Sequence, residues 1–330
     1  MDLSTRYMGL DLKGPLVASA SPLNTDIGNI RRLEDEGAAA VVLPSLFEEQ
    51  IAAEVDRYDH LTGAHAESSP EAASYFPLAG EYDVAPRAYL DLIRRARAAV
   101  DMPVIASLNG ITDEGWISYA RQIEAAGASA IELNIYFIAA DLGLTSADVE
   151  RRYLDIVKHV RATVAIPVAV KLSPFFSALG NMAVALQAAG ADALVLFNRF
   201  YQPDIDLAEL RLLTDLRLSH PDEVRLPMLW LAVLHGRVRA SLAATSGVAT
   251  PDEVVKYLLA GADVVMTTSA LLRHGVGHMG VLTRGLASWL DAREFGSLAE
   301  IRGLMSQRKI ADPQAFERAN YIRILQEYRR

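Results

Sequence analysis

The chain has 330 residues, 51% of them apolar, a net charge of −9 and no cysteine. The negative balance leaves no basic face for nucleic acid or anionic lipid. The missing thiols exclude disulfides, thiolate nucleophiles and cysteine-ligated iron–sulfur clusters within the chain, and they fit a reducing cytoplasm.

MDLSTRYMGLDLKGPL at the start lacks the apolar core of a signal peptide. The longest clean apolar run, MLWLAVL at 228–234, falls far short of the roughly 20 residues of a membrane span. A soluble, cytoplasmic protein is expected.

The first predicted strand is GPLVASAS (14–21), followed by the helical NIRRLEDEG (29–37) and a second strand in EDEGAAAVVLPS (34–45). MPVIASLNG (102–110) supplies the third strand, and the helix DEGWISYARQIEAAG (113–127) leads into the fourth, in EAAGASAIELN (124–134). IPVAVKLS (166–173), QAAGADALVLFN (187–198) and ASLAATSGV (240–248) read as the next three. TPDEVVKYLLAG (250–261) opens with Thr250 as N-cap, Pro251 at N1 and Glu253 at N3, a capping box. LAGADVVMTT (259–268) holds the last strand.

Four of these passages share one pattern: a helix tail, a glycine at C′, a small residue, then an apolar strand ending in polar residues. Eight strands, near 15–20, 39–44, 103–107, 130–134, 167–172, 193–198, 240–245 and 263–267, alternate with helices. That alternation predicts an α/β fold, a TIM (β/α)8 barrel forming a single domain over 1–330. Apolar runs without strict alternation suit strands covered on both faces. A doubly wound sheet is the main rival, and no G-x-G-x-x-G turn supports it. Long connections at 46–85 and 199–227 are expected at the C-terminal face, with a shorter one at 135–148. Residues 291–330 read as a C-terminal helical extension, SLAEIRGLMSQRK and then DPQAFERANYIRILQEY.

Polar residues collect at the predicted C-terminal strand ends. Lys171, inside AVKLS, would point its ammonium into the barrel mouth, which is costly unless an anion meets it there. The alternatives are a structural carboxylate or escape of the amine to solvent. SGVAT and MTTSALL place Ser246, Gly247, Thr268 and Ser269 in the last two loops, where barrels often bind phosphate through backbone N–H groups. Ordinary helix capping by Thr and Ser is the other reading. Asn134 and Asn198 offer paired donors and acceptors to a planar heterocycle, or merely favour turns. The set together favours a phosphorylated cofactor or substrate. His274 and His278 stand four apart, but two glycines between them argue against a helix, so no metal is expected. Carboxylate-rich strand ends and a G-x-S-x-G elbow are both missing.

ASAS (18–21), SLNG (107–110), IELN (131–134), VKLSP (170–174), SGV (246–248) and TSALL (268–272) occur in an order and spacing that resemble the dihydroorotate dehydrogenase family. The likeness runs to about residue 290 and is nearest the soluble branch. It implies a barrel carrying FMN and a flavin-dependent dehydrogenase acting on a CH–CH bond, of the kind used in pyrimidine biosynthesis. On this resemblance Lys171 would face the pyrimidine edge of the flavin, where reduction builds negative charge. Asn134 would lie between flavin and substrate, and Asn198 would reach the substrate. Ser19 and Ser107 would line the ring, Gly247, Thr268 and Ser269 would hold the phosphate, and Ser45 and Ser246 are further cofactor-binding candidates. A small-molecule substrate and a separate electron-transfer protein are the implied partners, and a homodimer is compatible.

Two departures stand out. The family continues LNI into Ser-Cys-Pro-Asn, whose Cys, or a Ser in its place, is the general base; the aligned residue here is Phe137, which accepts no proton. Tyr136 adjoins it and joins Lys171 as a catalytic candidate, with Ser173, His60 and His65 as further sources of a base. At the second strand Pro44 stands where the family usually has a lysine touching flavin and substrate, and the Asn-rich substrate loop is not recognisable. Oxidation of dihydroorotate to orotate is therefore expected to be far slower than in family members with a true base. Two other readings are a catalytically degenerate flavin-binding protein acting with a partner, and a barrel lyase using Lys171 as a Schiff-base nucleophile.

Overall fold

Strands with no polar face must be covered on both sides, and eight strands of this chain achieve that by closing on one another. The computed structural model describes residues 1–47, 84–109, 113–199, 203–213, 217–316 and 326. A short antiparallel hairpin, β1 (Thr5–Tyr7) and β2 (Leu10–Leu12), comes first. The barrel strands follow as β3 (Leu16–Ala18), β4 (Ala40–Phe47), β5 (Val104–Asn109), β6 (Ala130–Asn134), β7 (Val168–Leu172) and β8 (Ala193–Leu196). A second hairpin, β9 (Asp204–Asp206) and β10 (Arg211–Leu213), interrupts the series before β11 (Ser241–Ala244) and β12 (Val264–Thr267) complete it. Neighbours pair in parallel all the way round, and β12 closes on β3. The expected (β/α)8 barrel is thus the observed one, with each predicted strand in its place.

Helices between the strands cover the outside. Leu16, Val41, Leu43 and Val104 face outward into a core shared with Ile30 and Ile93 of the helices Ile27–Asp35 and Val84–Ala99. Each such fully buried Leu or Ile contributes about 1.5–3 kcal/mol. The predicted capping box is present: Thr250 accepts from Asp252 N–H, and Glu253 receives the N–H and hydroxyl of Thr250 at 2.7 and 2.8 Å. Among the described residues no helix is long and apolar enough to cross a membrane.

The barrel interior divides into two levels. The lower level is lined by small residues, Ala40, Ala130, Ala169, Ala193 and Ala243, and the fully buried Tyr7 of the first hairpin fills the space they leave. Three-residue strands carry too little pattern to be read from sequence, so this plug was not anticipated. The upper level is polar and opens at the C-terminal ends of the strands.

Pro44 determines how one strand enters that level. Alternation along β4 turns Ala40 and Val42 inward and would turn residue 44 inward next. A proline has no N–H for the ladder and is tolerated in a strand mainly at an edge or a bulge. Here the register against β5 shifts between Val42↔Ile105 and Ser45↔Ser107, leaving one extra residue on β4. The bulge hands the inward position to Ser45.

The C-terminal extension corrects the sequence reading. Helix His278–Asp291 stops on schedule, but SLAEIRGLMSQRK is helical only over Leu298–Ile301, followed by turns and a 3-10 turn at Pro313–Phe316. Gly303 has φ +70°, and a Cβ there would lie 2.2 Å from His235 Nε2, so the chain leaves helical geometry to pass that ring. The turns gain in exchange the N–H groups of Gly303, Met305 and Gln307 bonded to the carbonyls of Leu258, Leu259 and Ala232. Those carbonyls sit in the last turns of helices Arg225–Leu234 and Pro251–Ala260, where the i→i−4 donors run out. Beyond Phe316 only Gln326 is among the described residues, and it is helical as expected.

Candidate active site at the barrel mouth

Strand alternation delivers the polar side chains to one place. Ser107 on β5, Glu132 and Asn134 on β6 and Lys171 on β7 occupy inward positions, with Ser45 added by the bulge. Four of the predicted residues form a hydrogen-bonded chain round the mouth. Ser107 Oγ and Ser45 Oγ lie 2.8 Å apart, Asn134 Nδ2 donates to Ser45 Oγ at 3.2 Å, and Asn198 Nδ2 donates to Asn134 Oδ1. The amide of Asn134 is therefore fixed by partners on both sides.

Lys171 is only 12% exposed, and its Nζ lies 3.4 Å from Glu132 Oε1, which is itself 1% exposed. The sequence left open a bound anion or a structural carboxylate; the structure supplies the carboxylate while also placing Lys171 on the wall of a cavity. Glu132 was missed, although a charge in the middle of the buried strand AIELN is the signal that should have found it.

That cavity, about 250 Å³, is lined by seven predicted residues: Ser19, Lys171, Asn198, Ser246, Gly247, Thr268 and Ser269. Gly247 has φ +73°, and a Cβ there would meet the carbonyl oxygen of His220 at 2.8 Å, so only glycine lets the backbone run here. Ser246 before it also has positive φ, +80°. Ser219, which sequence reasoning did not single out, ties the two loops together: its hydroxyl donates to Ser269 Oγ at 2.9 Å and accepts from Gly247 N–H at 3.2 Å. Thr268 Oγ1 donates to the Ser19 carbonyl at 3.1 Å, joining the last loop to the first. A cradle of hydroxyls around a glycine amide, with Lys171 and Arg217 on the same wall, suits a phosphate monoester joined to a planar ring.

Three buried tyrosines brace the strand ends from the surrounding helices. Tyr89 donates to the Ser107 carbonyl and accepts its N–H, Tyr153 donates to the Ile135 carbonyl at 2.9 Å, and Tyr257 donates to the carbonyls of Thr245 and Ser246. Burial is the main cause that raises all three phenols; for Tyr153, to about 12.

The candidate bases gather less well. Tyr136 is half-buried and is not among the described residues lining the cavity. The Phe137 ring carries the Arg152 guanidinium 4.4 Å from its centroid, a cation–π contact that occupies one face of the ring. Ser173 is buried and accepts the Phe175 N–H at 3.0 Å. His60 and His65 lie outside the described residues.

A family model described as dihydroorotate dehydrogenase matches residues 84–290. The chain is 26% identical over 312 residues to the catalytic subunit of dihydroorotate dehydrogenase B (NAD(+)) of Thermoplasma acidophilum, covering 92% of this chain and 98% of that one. The corresponding subunit of Methanocella arvoryzae is 27% identical over 316 residues, with 92% and 98% covered. The NAD-dependent dihydropyrimidine dehydrogenase subunit PreA of Escherichia coli is 24% identical over 344 residues, covering 92% of this chain and 76% of the relative.

Proposed function

The chain belongs to the dihydroorotate dehydrogenase family, and on that premise we propose that it is an FMN-dependent dehydrogenase acting on a C–C bond of a small planar ring. The observation that carries this reading is the convergence of Lys171, Asn198 and the Gly247-centred cradle on one cavity. FMN, when bound, supplies the acceptor for hydride. Ser246, Gly247, Thr268 and Ser269 would hold its phosphate end, and Ser19 would line the ring. Lys171 opposes the negative charge that a reduced ring carries. Asn134, held by Ser45 and Asn198, orients the substrate against the ring, and Asn198 completes the substrate side.

The substrate end differs from what dihydroorotate oxidation requires. Removing a proton from the carbon beside the one that gives up hydride needs a base, and Phe137 supplies none. The relative named as a dihydropyrimidine dehydrogenase subunit points to reduced pyrimidine rings other than dihydroorotate as the class to test. With no cysteine in the chain, a cysteine-ligated cluster serving this flavin belongs to a separate electron-transfer protein. The Schiff-base reading fares worse, because an amine paired with a buried carboxylate is not the free nucleophile it needs. Cofactor-free protein titrated with FMN is expected to quench the flavin's fluorescence at one equivalent, and the complex to be reduced by a dihydropyrimidine much faster than by dihydroorotate. Protein that ignores FMN defeats the proposal, and brisk orotate formation defeats its substrate half.

A further inference from the structure

Two polar atoms inside the barrel have no hydrogen-bond partner among the described residues: the Tyr7 hydroxyl and Glu132 Oε2. Both belong to the interior rather than to the helix-facing core. Tyr7 belongs to the same interior cluster as Ala130 and Ala169, whose inward positions neighbour Glu132 along β6 and across it on β7. Burial raises the Tyr7 phenol, and the next cause is the charge of Glu132, which puts the carboxylate within electrostatic reach of the ring below it. Tyr7, Met8 and Leu12 are at most 3% exposed, so the hairpin closes the barrel from below. Glu132 thus stands in a buried compartment with one face, through Lys171, turned to the cavity.

An ammonium backed at 3.4 Å by a carboxylate is a different electrostatic object from a lone ammonium. In a compartment of low dielectric the carboxylate cancels much of the field that the ammonium projects onto a group in the mouth. We propose that Glu132 is a positioning and tempering residue for Lys171, aiming its amine at the cavity and limiting how strongly it favours a negatively charged, reduced ring over the neutral, oxidised one. This inference rests on the FMN reading given above. It assigns to Glu132 a role in setting the flavin's redox balance, with no contact between Glu132 and the cofactor required.

The test compares the affinity of cofactor-free protein for oxidised FMN with its anaerobic affinity for reduced FMN. Glu132→Gln keeps an oxygen to accept from Lys171 Nζ but removes the charge, so the preference for reduced FMN is expected to rise by at least about tenfold. Glu132→Asp, which withdraws the charge by one methylene, is expected to raise it by a smaller factor, about threefold, and decides the matter if the Gln variant does not fold. In a Lys171→Met background Glu132→Gln is expected to raise the preference by a smaller factor, because repulsion between the carboxylate and a reduced ring is still removed but no amine remains for Glu132 to aim. A preference equal to wild type in both single variants, with FMN still bound, overturns the inference alone. The same holds for an undiminished effect in the Lys171→Met background. Wild-type protein that binds neither form of FMN overturns the function proposed above and this inference with it.

Discussion

The two sides of the barrel mouth are built from the same eight strands, yet they differ in what they retain. The side made by β3, β11 and β12 closes its loops on one another through Ser219, Ser269, Gly247 and the Thr268–Ser19 bond. The side made by β4 and β6 carries a proline bulge and a phenylalanine under an arginine, at the two positions where the family resemblance implied a lysine and a base. On the proposed function, the first side would make the backbone-centred contacts that a phosphorylated cofactor needs, and the second the side-chain contacts to a substrate. A barrel whose strand ends are independently braced can keep the first while altering the second.

The largest test of the contrast falls on the residue that joins the two sides. Lys171→Met strands Glu132 in the interior and is expected to lower the unfolding free energy by about 3–5 kcal/mol in urea titrations, with most of it regained in the Lys171→Met, Glu132→Gln double variant. Equal stability of wild type and single variant would mean that the pair is not buried as described. Gly247→Val sharpens the comparison from the cofactor side. Its side chain meets His220 and Val224 at positive φ, a strain of about 1–3 kcal/mol, so FMN affinity should fall by roughly tenfold to a hundredfold while the barrel still folds. An unchanged FMN titration would remove Gly247 from the cradle.

Alkaline pH separates the sides by their tyrosine braces. An unfolded tyrosine ionises near pH 10. A phenol raised in the fold gives stability that is whole below that pH and is lost as pH rises toward the folded value. Tyr153, which holds the end of β6, is pushed up to about 12 by burial, with Arg152 pulling the other way. Burial drives Tyr257, which holds the β11 loop, higher still. Tyr153 should therefore surrender about 2–3 kcal/mol between roughly pH 10 and 12, and Tyr153→Phe should flatten that stretch of the stability curve. Parallel curves for the two proteins would show that Tyr153 is not the group titrating. The smallest effect expected is that of Ser45→Ala, which breaks the Ser107–Ser45–Asn134 chain for about 1 kcal/mol in stability and loosens substrate affinity more than FMN affinity. The reverse pattern would keep Ser45 in the cofactor-binding set expected from the sequence.

Much of this was legible in the sequence because it is repeated or local. The helix–glycine–strand pattern recurs, and each barrel strand is long enough to show its apolar run. Thr250, Pro251 and Glu253 form a cap within four residues. Gly247, Thr268 and Ser269 stood out because their chemistry is unusual at strand ends. What escaped notice depended on partners distant in the chain. Glu132 could have been noticed as a charge inside a buried strand, but its partner Lys171 lies 39 residues away. Ser219 matters only once it meets Ser269 and Gly247, 50 and 28 residues off. Tyr7 reads as an ordinary residue of a short N-terminal segment until the hairpin is found inside the barrel.

By itself, then, the order of residues determined the architecture and the set of polar groups brought to the barrel mouth, because strand period and helix capping act over a few neighbours. Only the closed tertiary structure decided which of those groups carry a field and which are neutralised. Electrostatic strength depends on burial and on the nearest opposite charge, and both are fixed by strands that become adjacent only when the barrel closes.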